Sequence, residues 1–295
     1  NEGLDLVKHT LKGKQVLLRD SFKFRMDMTT QPVSFRETLK KKLTLQEQGE
    51  AIYSFDVLGD MALIEVPSVL QKKKKMIAQT LLETNPRIRK VFEKVGEHEG
   101  KYRVEKIRWL QGEKSPIVSY KEWGCIFHVD PGNVFFNPRL GTERQRVASY
   151  VKRGQKVVVF FGGIGIYAIQ IAKHCFPSKV TTIEWNPFSK KWVNENVKQN
   201  KVEKIVHSIT RDIRKVKPVA EFDHVIMPAP ENANEFLSIA RKWISKKGGL
   251  IHFYTFVSNR NSEKEAKEKV ARELGKIPSS IPTIKTTGNS RPLAA

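Results

Sequence analysis

A chain of 295 residues is long enough for one large domain or for two that share a core, and 39% hydrophobic with 28% charged residues is a globular composition. Lys and Arg number 53 against 31 Asp and Glu, and the resulting +22 points to a polyanionic partner, nucleic acid before membrane. Two cysteines, Cys125 and Cys175, exclude a disulfide framework and a four-thiolate zinc site, and no apolar run reaches the roughly 18–20 residues that span a bilayer.

The opening NEGLDLVKHTLKGKQ lacks the apolar stretch of a secretory signal, so a soluble cytoplasmic protein is expected; Asn1 in place of Met suggests a start further upstream. Residues 1–48 are charged and rich in Gln and Lys, and read as a short appended module. From Ala51, AIYSFDVLGDMALIEVP alternates apolar and polar residues around a DVLGD turn, the pattern of a strand hairpin. A helix is predicted over Pro67–Leu82, with Lys72, Lys73, Lys74 and Lys75 ahead of an apolar stretch. RIRKVFEKVG, KYRVEKIRWLQG and WGCIFHVD read as short strands, and Thr142–Val151 as a helix. After Gly154 the texture changes. KVVVFF is a continuous apolar run, IYAIQIAKH has helical spacing, KVTTIEW is a second strand and FSKKWVNENVKQN a second helix. EKIVHSI, FDHVIM and GLIHFYTF continue the alternation expected of a parallel sheet with helices on both faces. The tail after Ile284 shows no strand, so the sheet is expected to lack its last one. Three parts follow: a module at 1–48, a smaller α/β domain at 49–141 and a larger α/β domain at 142–295.

Between the first strand of the larger domain and its helix stand Gly162, Gly163, Ile164 and Gly165. Glycine lets backbone approach a ligand, and a helix N-terminus offers unpaired N–H groups. Glu184 closes the next strand, where a carboxylate can accept both hydroxyls of a ribose, and Asp212 follows the third, where it can meet an adenine amine. A nucleotide-like cofactor at the carboxyl ends of the strands is the natural reading. Gly163-x-Gly165-x-x-Ala168 also fits the dinucleotide fingerprint, so S-adenosylmethionine, a nicotinamide cofactor and a simple tight turn all remain open on these residues. The fourth strand ends in Met227-Pro228-Ala229-Pro230, a stiff, donor-poor turn that either holds a planar base or merely ends the strand. Arg139, Glu143, Arg144 and Arg146 crowd one short segment, which on local evidence is a solvated helix face with i,i+3 pairs.

FDVLGDMALIEVP (55–67), HEGKYRVEKI (98–107), VFFNPRLGTERQRVA (134–148), FFGGIG (160–165), IEWNP (183–187) and VIMPAPENANEF (225–236) together resemble the tRNA guanine-37 N1-methyltransferases of archaea and eukaryotes, over roughly Ala51 to Phe256. The resemblance implies an α/β fold: a Rossmann-like class I methyltransferase domain preceded by a smaller α/β RNA-binding domain and a short N-terminal module. It implies S-adenosylmethionine as cofactor, tRNA as partner, no metal and a monomer. Glu143 matches the family's general base and Arg103 the arginine near O6 of the base. Phe135 matches an aromatic near the target base, with Arg139 and Arg144 as its charged neighbours on the substrate side. Phe161, Gly163, Gly165, Glu184 and Asp212 match the cofactor site, and Pro228 and Pro230 the turn around the target base. Two departures stand out. Val159 occupies a position that is acidic in the family, and Pro228-Ala229-Pro230 replaces Asn-Leu-Pro or Asn-Pro-Pro. Pro-x-Pro is similar to the archaeal a-type branch, which also methylates C7 of 4-demethylwyosine at position 37 of tRNA(Phe).

N1 of guanine is protonated at neutral pH, so a carboxylate must take that proton while a guanidinium steadies the charge that moves to O6. The base must also leave its stack, a cost that an aromatic such as Phe135 offsets. Lys72–Lys75, Arg87, Arg89 and Lys90 would supply phosphate contacts. Three other readings compete: transfer of the cofactor's aminocarboxypropyl arm instead of methyl, a nicotinamide-dependent oxidoreductase, and a catalytically silent RNA-binding protein. The NPRLGTER segment favours methyl transfer, and the charge argues against the oxidoreductase.

Overall fold

The computed structural model describes residues 34–96, 102, 104–229, 233–257 and 262–275, with two further short strands, β1 (Lys8–Leu11) and β2 (Lys14–Leu17), paired antiparallel. Arg103, Pro230, the tail after Ile284 and most of the first 33 residues lie outside the described residues.

Two helices come first, α1 (Phe35–Lys41) and α2 (Leu45–Glu50). Thr44 starts α2 with a reciprocal cap: its Oγ1 accepts from Glu47 N at 3.3 Å and its own N–H donates to Glu47 Oε2 at 2.8 Å. β3 (Asp56–Leu58) and β4 (Met61–Ile64) form the hairpin read at DVLGD. A 3-10 turn at Ser68–Lys73 leads into α3 (Lys74–Thr84), which crosses to β5 (Lys90–Lys94), parallel to β4; β6 (Ile107–Gly112) then pairs antiparallel with β5. Alternation along β4 decides how this small sheet is buried. Ala62 and Ile64 join Ile77, Ala78 and Leu81 of α3 and Phe35 and Leu39 of α1 in one core, so α1 belongs to the same packing unit. Met61 and Leu63 face the other way, into the core of the large domain.

A strand absent from the sequence reading, β7 (Val118–Glu122), pairs with β8 (Cys125–Val129). Trp123 and Gly124 join them with φ of +46° and +68°, the left-handed pair that a two-residue turn between right-twisted strands requires. The Trp123 ring pays for that backbone by stacking on His174 at 3.9 Å. After α4 (Gly141–Ala148) comes the sheet expected from the alternation: β9 (Lys156–Phe160), α5 (Ile166–His174), β10 (Lys179–Glu184), α6 (Ser189–Gln199), β11 (Val206–Thr210), β12 (His224–Met227), α7 (Leu237–Arg241), β13 (Leu250–Phe253) and α8 (Ser262–Leu274). Its five strands are all parallel in the order β11-β10-β9-β12-β13. The segment ENANEFLSIARKW, read as one helix, is a 3-10 turn at Ala233–Phe236 followed by the shorter α7.

β9 is buried on both faces. Val157 and Val159 point to a layer with α5 and the β7–β8 hairpin, while Val158 and Phe160 point to a layer with Leu237 and Trp243. Val159, at the position that is acidic in the resembled family, is therefore a core residue. The hairpin is fastened to α6 by two asparagines one turn apart. Asn196 accepts from His128 N at 2.7 Å and donates to His128 O at 3.1 Å; Asn200 does the same to Ile126 at 3.0 and 2.7 Å. These amides satisfy backbone groups of β8 that would otherwise be unpaired.

Candidate active site

The strand order reverses between β9 and β12, and open parallel sheets bind ligands at the carboxyl ends of strands flanking such a reversal. A cleft of about 370 Å³ opens there, walled by Phe161, Gly163, Glu184, Trp185, Asp212 and Pro228 among others.

Backbone geometry shapes its floor. Phe161, Gly163 and Gly165 have φ of +54°, +55° and +84°, and the turn delivers the chain to the N-terminus of α5. A side chain at Gly162 would meet Thr182 Oγ1 at 1.9 Å, so only glycine lets β9 and β10 lie this close at the loop. Phe161 is a non-glycine residue in left-handed conformation, held by an edge-on contact with Phe236 at 4.9 Å. Gly163 lines the cleft, whereas Gly165 packs against Val193 as the helix start.

Glu184 ends β10 and is partly buried in the cleft wall. Its Oε2 accepts from Gly163 N and its Oε1 from Asn186 N, both at 2.9 Å. Burial pushes its carboxyl pKa up, against the lowering effect of these backbone N–H groups and that of Trp185. A carboxylate has about four acceptor sites, so these donors leave room for a hydroxyl from a ligand. Ser189 Oγ, also on the cleft wall, is buried with no hydrogen-bond partner among the described residues. An unfilled donor beside a partly buried carboxylate fits a polar nucleoside. Asp212 lines the same wall but is engaged already: it caps Arg214 N at 3.0 Å and pairs with the Arg214 guanidinium at 2.6 Å, which holds its carboxyl below the usual range.

Phe135 and Pro228 share the cleft with Glu184, so one cavity joins the expected cofactor side to the expected base side. Phe135 is half exposed and also borders a second hollow of about 200 Å³, lined by Arg139, Asp56, Lys94 and Glu105. Arg139 is ion-paired with Asp56 on that side. Two of the expected site residues are not on the wall of this cleft. Arg144, expected beside the target base, turns inward: it is 3% exposed, pairs with Glu122 at 2.5 and 2.7 Å, and holds Asn137 O at 3.2 Å. A guanidinium so fully committed braces the NPRL segment. Glu143 is not among the residues lining the cleft. It sits at the carboxyl end of β13, bound by Arg146 and by the hydroxyl of Tyr254 at 2.7 Å.

Sequence reasoning missed the aromatic rim, Tyr102 and Trp185, whose rings meet edge to face at 5.6 Å over the cleft. It also missed Tyr254, 111 residues from its partner Glu143. No helix among the described residues is long and apolar enough to cross a membrane, and none of their His, Cys, Asp and Glu side chains gather in a group that could hold a metal ion.

A family profile described as the TRM5/TYW2 methyltransferase domain matches residues 118–280, and one described as the TYW2 N-terminal domain matches 35–115. The tRNA (guanine(37)-N(1))-methyltransferase Trm5b of Pyrococcus abyssi is 33% identical over 250 residues, which are 85% of this chain and 72% of that protein. The tRNA 4-demethylwyosine(37)-methyltransferase Taw21 of Saccharolobus solfataricus is 32% identical over 230 residues, 77% of this chain and 86% of that one. Among solved structures, the complex of aTrm5 and tRNALeu superposes with a TM-score of 0.72 at 29% identity, covering 87% of this chain and 75% of that one. TYW2 of P. horikoshii in complex with MeSAdo gives 0.68 at 26% identity, covering 81% and 85%.

Proposed function

The chain belongs to the TRM5/TYW2 methyltransferase family, and from that premise we propose that it is an S-adenosylmethionine-dependent tRNA methyltransferase acting at position 37, on N1 of guanosine and also on C7 of 4-demethylwyosine. The observation that carries this reading is the single cleft that brings Glu184, Phe135 and Pro228 together. Near-equal likeness to an N1-methyltransferase and to a 4-demethylwyosine methyltransferase supports the double substrate range. The protein would act as a cytoplasmic monomer with tRNA as its partner.

In this reading Glu184 holds the cofactor's ribose, with Gly163 and the Ser189 hydroxyl beside it. Phe161 and Asp212 close the adenine side, and Gly165 shapes the loop. When bound, the cofactor supplies an electrophilic methyl group on a sulfonium. Phe135 stacks on the flipped base and offsets its unstacking. Glu143 accepts the N1 proton, and Arg103 stabilises the charge displaced onto O6. Arg139 faces the RNA, and Pro228 and Pro230 border the base. Trp185 and Tyr102 roof the cleft and exclude water, which strengthens these charge interactions.

Pro228 brings no side-chain amide where the resembled enzymes have Asn, so the base is selected by shape there. Pro228→Asn is expected to restore discrimination, shifting product from C7-methylated 4-demethylwyosine towards 1-methylguanosine. The deciding assay incubates the protein with labelled S-adenosylmethionine and tRNA(Phe) carrying either G37 or 4-demethylwyosine, and identifies the nucleosides by mass. Methyl on both supports the proposal. Methyl on one alone halves the range, an aminocarboxypropyl product moves the reaction to arm transfer, and no product removes the enzymatic reading for these RNAs.

A further inference from the structure

Glu143 is held by three hydrogen bonds from two residues. Arg146 grips it as a fork, Nη2 to Oε1 at 2.5 Å and Nε to Oε2 at 2.7 Å, and Tyr254 donates its hydroxyl to Oε1 at 2.7 Å. Behind Tyr254 lies the hydroxyl of Tyr167 at 3.2 Å; since the Tyr254 proton is spent on Glu143, Tyr167 is the donor of that pair. Both phenols are buried, at 1% and 4% exposure, while the Glu143 and Arg146 side chains are partly open, at 18% and 24%. A buried hydroxyl chain ending on a part-exposed carboxylate is costly packing unless the carboxylate's placement matters.

Counting acceptor sites gives the hold a direction. Oε1 takes two donors, and Oε2 takes one. Carboxylate oxygens offer about two sites each, so the open site is on Oε2. Tyr254 directly follows β13, at the carboxyl edge of the sheet where the cleft opens, and this fixes Glu143 to that edge although α4 carries it.

We propose that Tyr254 and Arg146 are positioning residues for proton abstraction: they lock the Glu143 carboxylate so that Oε2 alone takes the proton of the target base. The inference rests on the reading of Glu143 as general base. In the step, the N1–H bond of guanine breaks, its electron pair stays on the ring and spreads to O6, and the proton bonds to Oε2. Tyr254 and the Arg146 fork keep Oε1 from competing and keep the carboxylate from rotating. Neither residue touches the base. Tyr167 fixes the Tyr254 hydroxyl so that its proton points at Glu143.

The test measures single-turnover N1-methylation of a G37 tRNA transcript across pH for wild type, Glu143→Gln, Tyr254→Phe and Arg146→Lys, with cofactor and tRNA affinities determined alongside. Glu143→Gln is expected to lose about 10²–10⁴-fold in rate near neutral pH, the range for a lost general base. Tyr254→Phe and Arg146→Lys are each expected to lose about 10-fold, the worth of one charge-assisted hydrogen bond, with both affinities unchanged. As the pH rises towards the ionisation of guanine N1 itself, the base needs no help, and the three variants should close on the wild type. A merely structural defect would stay constant with pH. Deficits that do not close, losses that appear in affinity rather than rate, or variants as fast as wild type would each overturn the proposal. If Tyr254→Phe fails to fold, Arg146→Lys decides alone, since that side chain is partly exposed. Full activity of Glu143→Gln brings down the reading of Glu143 as base; loss there with normal Tyr254→Phe and Arg146→Lys brings down the positioning proposal only.

Discussion

Glu184 shows how a side chain proposed to hold the cofactor can be costly to the fold. Burial in the wall of the cleft raises its carboxyl pKa, so the folded chain takes up a proton at a higher pH than the unfolded chain does. Its ionised form therefore subtracts stability above that window, and protonation on acidification relieves the cost. Ribose hydroxyls need the anion, so cofactor affinity is expected to fall as pH drops through this raised range, before ordinary surface carboxylates titrate. Glu184→Gln should remove the pH dependence and weaken S-adenosylmethionine binding by about 10- to 100-fold, read by calorimetry, with thermal stability unchanged or higher. Among single residues, those whose placement was legible in the sequence were the ones set by strand-end spacing: Glu184, Gly163 and Pro228 all close or follow strands of the same sheet edge and line the cleft. Arg144 was not legible, because what turns it inward is Glu122, on a strand that the sequence reading passed over. Asp212 follows its strand onto the cleft wall, but its Arg214 clamp depends on a local turn geometry that the sequence does not show.

Elements were legible where one period dominated. β9, α5, β10 and α6 follow directly from apolar runs and helical spacing, because parallel strands buried on both faces leave no polar alternation to confuse the pattern. β7 was missed because VSYKE has one fully buried residue, Val118, and its partner strand is secured from a distance by Asn196 of α6 and Asn200, which caps that helix. A second long-range device lies between β12 and β13. His224 Nδ1 and His252 Nε2 are 3.1 Å apart, and His224 Nε2 lies 3.0 Å from Gln155 Oε1. The Gln oxygen can only accept, so His224 carries its proton on Nε2 and receives one from His252 Nε2; both rings are neutral in that chain. Burial first, then the charge that His224 would carry if protonated and that of Arg146, lowers the His252 pKa to about 3, and burial lowers that of His224 as well. Depressed histidine values mean stability that is fully present above the unfolded value of 6.5 and is lost as the pH falls towards about 3. The urea midpoint should therefore drop below about pH 6.5, with a slope approaching about 1.4 kcal/mol per pH unit for one group. His252→Leu should flatten that slope; an unchanged acid limb would place the sensitivity elsewhere.

At the scale of the molecule, the net charge of +22 was the first thing the sequence offered, yet it does not say which lysines meet phosphate. The run Lys72–Lys75 shows why. Lys73 is spent on Glu47 at 2.7 Å and Lys74 on Glu93 at 3.2 Å, while Lys72 and Lys75 are exposed and make no ion pair among the described residues. A helical surface splits a four-residue run in this way, since neighbours in sequence point about a quarter-turn apart. Binding to a polyanion releases roughly one counterion per phosphate neutralised, so each lysine that meets RNA adds about one to the slope of log K against log salt. Replacing Lys72 and Lys75 together by Ala is expected to weaken tRNA binding uniformly across tRNA species and to reduce that slope by about two, while melting stays unchanged. Replacing Lys73 and Lys74 should leave the slope nearly intact and cost stability instead, chiefly because Glu93, buried in β5, loses its lysine. Filter binding over a salt series distinguishes the two pairs directly. Equal slopes for both double variants would mean that RNA pulls Lys73 and Lys74 out of their pairs, and that the free-state contacts do not decide which charges the tRNA uses.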